Sequence, residues 1–502
     1  MGNTAFYLWY KERKLKMDKK KYQDYIDEKA ELICEVSDKI WSYAELSLQE
    51  FKSCEIYCKV LKDEGFTVES PYAGIETAFK ASFGSGKPVI GILGEYDALS
   101  GLSQEAGVPY KKEIVNGGNG HGCGHNMLGA GSMAAAFAVK KYLEDKPEGS
   151  GTIVFYGCPG EEGGASKAFM ARDGVWKELD CALTWHPGDS NYVETGSNNT
   201  CIQTEYAFKG IAAHASGSPE YGRSALDAVE LMNVGVNFLR EHMPDQCRIH
   251  YAITDGGGAS PNVVQPHAQV LYMVRAAHTK EALELQKRVD KIAEGAALMT
   301  ETKLKKQFID GCGDIMPNKT LEKVLAKNME EVGAPKFDEA DMKLAKELTE
   351  SYEVKGSLMP KLAEHLSEEN KAYVEKMSEN GTKPLCDYII PYEHLGLKST
   401  GSSDVGDVSW LTPTAQVRMA CFAAGAPGHS WQNVSTGGCS IGHKGLLAAG
   451  KVLSGACIDL FEDHGIIDEA KEEFKKATKD GYYCPVPEDA VPVVSGKTIE
   501  VD

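Results

Sequence analysis

The sequence predicts an open α/β unit interrupted by a smaller, inserted α+β sandwich, and three observations carry that prediction. Residues 88–93 (PVIGIL), 152–156 (TIVFY) and 181–185 (CALTW) are short continuous apolar runs, the pattern of strands buried on both faces. Each run ends in polar, glycine-flanked residues, and open α/β sheets place their ligand sites at the carboxyl ends of such strands. Between residues 201 and 309 the texture changes to strand, helix, strand, strand, helix, strand, the order of a compact two-layer sandwich.

The chain has 502 residues, 42% of them hydrophobic. Single cores stop growing near ~250 to 300 residues, so two or more domains are expected. A net charge of -19 argues against a nucleic-acid partner and against an anionic membrane surface. It leaves room for an anionic substrate, because a metal or a local arginine overrules the global field. Fourteen cysteines follow no regular framework, which predicts reduced thiols and a cytoplasmic setting. No run approaches the ~18 apolar residues of a membrane helix. The apolar patch at residues 5–10 is too short for a signal sequence and precedes the basic residues instead of following them. Residues 1–16 read as an extension unlike the rest, with Met17 the expected natural start.

Taken in order, residues 18–66 read as helical, with Tyr25, Ile26, Ala30, Ile33, Ile40 and Leu46 near a 3.6 period. Residues 77–83 alternate like a strand, and the PVIGIL strand then runs into Gly94-Glu95-Tyr96-Asp97. The stretch 118–130, GNGHGCGHNMLGA, sets His121, Cys123 and His125 within five residues, ahead of an alanine-rich helix over 126–143. Glycines let such a loop turn tightly, and a helix N-terminus favours a thiolate. Alone, the stretch fits a metal site or a glycine-rich turn equally well. The second apolar run leads into Cys158-Pro159-Gly160-Glu161-Glu162-Gly163-Gly164, and the third into His186-Pro187-Gly188. That recurrence of metal-competent residues at strand ends predicts a metal site.

Next, a strand over 201–208 leads to the loop carrying His214, and a helix covers 224–241. Strands are expected at 249–254, at a run after Asn262 that ends in Arg275, and at 302–309, with a helix over 280–298. Residues 312–395 read as charged helices, including 318–332 and 361–380, that elaborate the larger unit. The last informative block holds TGSSDVGDVSW, a strand-like run at 415–423, the GAPGHSW segment with His429, and a small-residue helix at 442–454. A charged helix and a Pro/Val-rich end follow residue 463, with no function assigned to them.

Eight ordered segments, LGEYDALSGLSQ, HGCGHN, GCPGEEGG, TWHPGD, AAHASGSPEYGRSALDA, SPNVVQPHAQVLYMVRA, SSDVGDVSW and GAPGHSWQ, carry a family likeness. The chain resembles the dinuclear metallohydrolases that include glutamate carboxypeptidases, aminoacylases and auxin-conjugate amidohydrolases. The resemblance runs from about residue 20 to about 480. It implies an α/β fold: a mixed-sheet metallohydrolase catalytic domain (17–200 and 312–482) with an inserted α+β sandwich dimerisation or lid domain (201–311) and a tail at 483–502.

It also implies Cys123, His125, Glu162, His186 and His429 as ligands of one or two divalent ions, Mn2+ or Zn2+. Glu161 becomes the general base. His214 is expected to polarise the scissile carbonyl in a neighbouring subunit, with Asn262 and Arg275 binding a substrate carboxylate. Peptidases of the wider family carry His-x-Asp where this chain has Glu95-Tyr96-Asp97, so Cys123 is expected to replace the missing imidazole, and His121 is the weaker candidate. The implied reaction is hydrolysis of an N-acyl-amino-acid amide, with p-aminobenzoyl-glutamate the expected substrate. An aminoacylase or dipeptidase of other acyl specificity is the alternative, and a non-catalytic metal-binding subunit is the alternative of another class. The expected assembly is a homodimer, or a heterodimer with a homologous A-type subunit.

Overall fold

The computed structural model describes residues 19–494 and 496–501. The N-terminal extension and the expected start at Met17 lie outside the described residues. Three of the strands read from sequence, β3 (Val89–Gly94), β4 (Ser150–Gly157) and β5 (Cys181–Gly188), are parallel neighbours, and β11 (Thr414–Ala420) runs parallel beside β5. They are apolar and almost wholly buried because helices cover both faces. Strands β1 (Thr67–Glu69), β2 (Phe79–Gly86) and β6 (Tyr192–Val193) extend this mixed sheet antiparallel at its edges, in the order β1-β2-β4-β3-β5-β11-β6. Four parallel strands therefore end on one side, and motifs far apart in the sequence converge there.

The helices His125–Glu144 and Ser440–Glu462 are small-residue helices because they lie against each other. A Cβ on Gly450 would stand 2.9 Å from the Ala134 Cβ and 3.1 Å from the Gly131 carbonyl. That close approach sets the spacing between the two helices.

The second sheet is wholly antiparallel, ordered β10-β7-β9-β8 from β7 (Thr200–Lys209), β8 (Arg248–Asp255), β9 (His267–Ala276) and β10 (Lys303–Cys312). The helices Ala225–Leu239 and Thr279–Thr300 pack on one face around Tyr206, Phe208, Val229, Met232, Val270, Tyr272 and Val289. This is the six-element order read from sequence. The chain enters the second sheet at Thr200 and leaves it at Cys312. Cys201 and Cys312 face each other across the two strands, with their sulfurs 3.3 Å apart.

Three segments depart from the sequence reading. The stretch 18–66 breaks after Ala30–Tyr43 and resumes at Phe51–Asp63. Ala44 turns left-handed at φ 44°, and the link buries Glu50, whose carboxylate accepts from Thr77, from the Leu48 amide and from the Gly160 amide. The stretch 361–380 divides into a 3-10 turn, Lys361–His365, and the helix Glu368–Met377. Ser367 between them is held by the Glu393 carboxylate. The Pro/Val-rich end, to which the sequence assigns no role, runs back over both sheets. Tyr482 donates to Asp407 at 2.6 Å, Ile499 and Val501 pack on Ala207, and Lys209 and Lys305 donate to the Val501 and Glu500 carbonyls. Among the described residues, no helix is long and apolar enough to cross a membrane.

Candidate metal centre

The GNGHGCGHN loop lies at the carboxyl edge of the parallel strands. Gly124 adopts φ 83°, a left-handed turn open to glycine, which lets His125 begin its helix directly after the loop that carries Cys123. Cys123 Sγ stands 3.4 Å from His186 Nε2, the imidazole at the end of β5. His186 Nδ1 lies 2.7 Å from the Pro187 carbonyl and donates its proton there, so Nε2 keeps its lone pair toward the thiol. Burial first, and then the Arg418 charge, hold the His186 pKa well below its usual value, which keeps the ring neutral. Arg418 is itself paired with Glu194 at 2.6 Å.

His125 is fully buried and gives Nδ1 to Asp97 at 2.8 Å, leaving Nε2 free. Asp97 also accepts from the Glu162 amide at 2.9 Å and from Ser47 at 2.8 Å. Burial alone raises the pKa of this carboxyl, but the His125 charge and these hydrogen bonds outweigh it and hold it at about 2. One carboxylate past β3 thereby orients His125 and the Glu161-Glu162 loop together. Glu161 is pushed well above the ordinary carboxyl range, first by burial and then by the charges of Glu95 and Glu162.

His429 reaches the site from the loop after β11, with φ 50°, a left-handed conformation that a non-glycine residue rarely holds. Its Nε2 lies 3.3 Å from Glu162 Oε1. Cys123 and then Glu162, both close beside it, raise its pKa to about 10.

A trio of possible ligands joins Glu95, His125 and Glu161, and two further trios contain Cys123, one with His125 and His186 and the other with Glu162 and His429. The ligand atoms in each lie within 4.8 Å of one another. Buried His125 Nε2 and Glu162 Oε1 have no hydrogen-bond partner, which suits atoms that ligate an ion. A thiolate, imidazoles and a carboxylate in this arrangement fit divalent transition ions.

The structure thus brings together Cys123, His125, Glu161, Glu162, His186 and His429, and keeps the other predicted site residues outside the trios. His214 is exposed on a loop of the second unit, where its Nδ1 accepts from the Gly217 amide at 3.0 Å. Asn262 shares that surface, its carbonyl accepting from the Ala215 amide. Arg275 lies on β9 and donates to Ser402 at 2.7 Å, across the junction with the first unit. His121 is buried with Nε2 on the Ile40 carbonyl at 3.0 Å, and burial pulls its pKa down to about 4. It belongs to the loop's packing.

Three residues of the site escape the sequence reading. Asp97 and Glu95 are visible there as carboxylates at a strand end, without assigned partners. Lys167 gives one signal, a lysine inside the apolar stretch ASKAFMA.

The profile of the peptidase family M20/M25/M40 matches residues 91–350. The chain is 44% identical over 472 residues to the B-type subunit of the p-aminobenzoyl-glutamate hydrolase of Escherichia coli, covering 93% of this chain and 97% of that protein. The chain belongs to the M20/M25/M40 peptidase family. It is also 29% identical to the Xaa-Arg dipeptidase of Mus musculus, over 64% of this chain and 72% of that one. The crystal structure of an aminobenzoyl-glutamate utilization protein from Klebsiella pneumoniae superposes with a TM-score of 0.57 at 13% identity, covering 87% of this chain and 97% of that one. This M20 member is a metal-dependent amidohydrolase.

Proposed function

We propose that the enzyme hydrolyses p-aminobenzoyl-glutamate to p-aminobenzoate and glutamate at a divalent metal centre held by Cys123, His125, Glu162, His186 and His429. The observation that carries the metal assignment is the pair of ligand trios sharing Cys123. The substrate assignment rests on the 44% identity to the Escherichia coli protein. One or two ions, Mn2+ or Zn2+, suit the mixed donor set, and when bound they supply a polarised amide carbonyl and a more acidic water.

Glu161 lies outside the two trios that share Cys123 and takes the proton of the attacking water as general base, then returns it to the leaving amine. Its position supports that role, because Glu161 Oε2 stands 4.0 Å from His125 Nε2, beside the candidate ligands. Asp97 keeps the Glu161-Glu162 loop and His125 aligned through the reaction.

Asn262 and Arg275 bind the glutamate carboxylate, for which a guanidinium fork is suited. His214 acts on the scissile carbonyl of a neighbouring protomer, which accords with its exposure. A dimer is supported by the exposed apolar stripe Leu231, Val234 and Phe238 on the helix Ala225–Leu239, and by Tyr251 and Ile253 on the edge strand β8. In this reading residues 17–200 and 312–482 form the catalytic domain and 201–311 the lid. The partner is a second copy or a homologous A-type subunit, and the numerous buried free thiols support a cytoplasmic setting.

The purified chain, with its metal content counted, is assayed on p-aminobenzoyl-glutamate, acetyl-amino acids and dipeptides. Preferred turnover of the first is expected. Faster hydrolysis of acetyl-amino acids or dipeptides would replace the substrate assignment. Metal binding with no turnover by the chain, alone or dimerised, would make it a non-catalytic partner.

A further inference from the structure

Beneath the two trios that share Cys123 lies a group whose members the ligand set leaves unexplained. Glu95, Lys167 and Asp404 are all buried, with at most 2% of each residue exposed. Lys167 Nζ lies 2.8 Å from Glu95 Oε1 and 2.5 Å from Asp404 Oδ1, and the Lys167 amide donates to Asp404 Oδ2 at 2.9 Å. Three elements distant in sequence supply this group: the end of β3, the helix Ser166–Arg172 and the SSD segment before Val405–Ser409. Taking three charges out of water costs several kcal/mol per ion unless each is closely paired. Such an arrangement persists where it holds something in place.

What it holds is the second oxygen of Glu95. With Oε1 on Lys167, Oε2 is turned to within 3.2 Å of His125 Nε2. Neither atom makes a hydrogen bond to the other or to anything else. Two donors on one ion at ~2.1 Å each, about a right angle apart, stand ~3 Å from each other. Glu161 Oε2 lies 4.0 Å from the same nitrogen, and Glu95, His125 and Glu161 form a ligand trio of their own. His125 is thus shared by the trio with Cys123 and His186 and by the trio with these two carboxylates.

We propose that Glu95 is a further carboxylate donor of the metal centre, directed at the ion on His125, and that Lys167, anchored by Asp404, is the positioning residue that fixes it. The inference rests on the metal-centre reading above. It replaces the expectation that the position of Glu95 is lost to the centre and compensated by Cys123 alone. The residue at that position keeps a ligating atom, an oxygen in place of a nitrogen.

The test is titration of the metal-free full chain with Co2+, followed by visible absorption and by metal analysis. Wild type is compared with Glu95→Gln, Glu95→Asp and Lys167→Met. Glu95→Gln preserves shape and its contact with Lys167 while removing the charged donor. Glu95→Asp keeps the ion pair and withdraws the second oxygen, which covers the case in which the neutral variant does not fold. Each Glu95 variant should bind at least one Co2+ tenfold or more weakly with an altered ligand-field spectrum. Lys167→Met should show the same spectral change, with affinity lost in parallel. Wild-type affinity and spectrum in a folded Glu95 variant overturn the donor assignment. A folded Lys167→Met protein that is less heat-stable yet binds Co2+ like wild type overturns the positioning role. Wild type that takes up no Co2+ overturns the metal centre itself, a distinguishable failure.

Discussion

Replacing Asp97 by asparagine removes the charge and one of the two acceptor oxygens that align two parts of the centre at once. The carboxylate takes the His125 Nδ1 proton at 2.8 Å, the Glu162 amide at 2.9 Å and the Ser47 hydroxyl at 2.8 Å. Burial raises its pKa, yet the His125 charge and the three donors lower it overall, from 3.8 to about 2. At ~1.4 kcal/mol per unit, that depression amounts to roughly 2 kcal/mol of folding stability in the metal-free protein at neutral pH. Because the folded value is the lower one, this stability is fully present above the unfolded pKa and is lost as pH falls through about 2. With metal present, loss of an imidazole's orienting acceptor weakens binding by about 10- to 100-fold. Urea unfolding of metal-free wild type and Asp97→Asn at pH 7 measures the first quantity, and metal titration the second. A variant within ~0.5 kcal/mol of wild type that also binds metal unchanged would refute the account of Asp97 as the shared acceptor.

Other outcomes follow from the same geometry. Cys123→Ser removes the atom that two of the trios share and should lower metal content at both positions together; metal analysis showing loss at one position only contradicts a shared thiolate. Glu161→Gln should keep its metal and lose ~100- to 10,000-fold in kcat, as a general base does, and near-normal turnover in a metal-loaded variant sinks that role. Phe238, 70% exposed at the end of an apolar stripe, is a surface the dimer reading needs covered. Phe238→Asp should therefore yield monomers in sedimentation and lose activity without losing metal, and an active monomer counts against His214 acting between protomers.

The parallel strands are legible because full burial leaves no room for alternation, so PVIGIL, TIVFY and CALTW read as uninterrupted apolar runs. The ligands are legible for the same reason, since a strand that ends at a site must exchange its apolar residues for polar ones there. Other features depend on contacts that no local pattern announces. The break at Ala44 exists so that Glu50 can receive amides from Leu48 and Gly160, and a helical period running from Ile33 to Leu46 conceals it. Lys167 sits in a short helix and would pass for a solvated lysine but for Glu95 and Asp404, which the fold brings in from either side. His214 and Asn262 are recognisable from their motifs, yet they sit exposed on a loop of the second unit and belong to none of the trios.

The two covalent links to the inserted unit run side by side through Cys201 and Cys312, like the two leaves of a door hinge with a single axis. The C-terminal residues form a third thread, fastened to Asp407 at one end and to β7 and β10 at the other, away from that axis. Ile499 and Val501 seat that thread on Ala207. Residues 482–501 are therefore a tie between the two units that holds no candidate ligand.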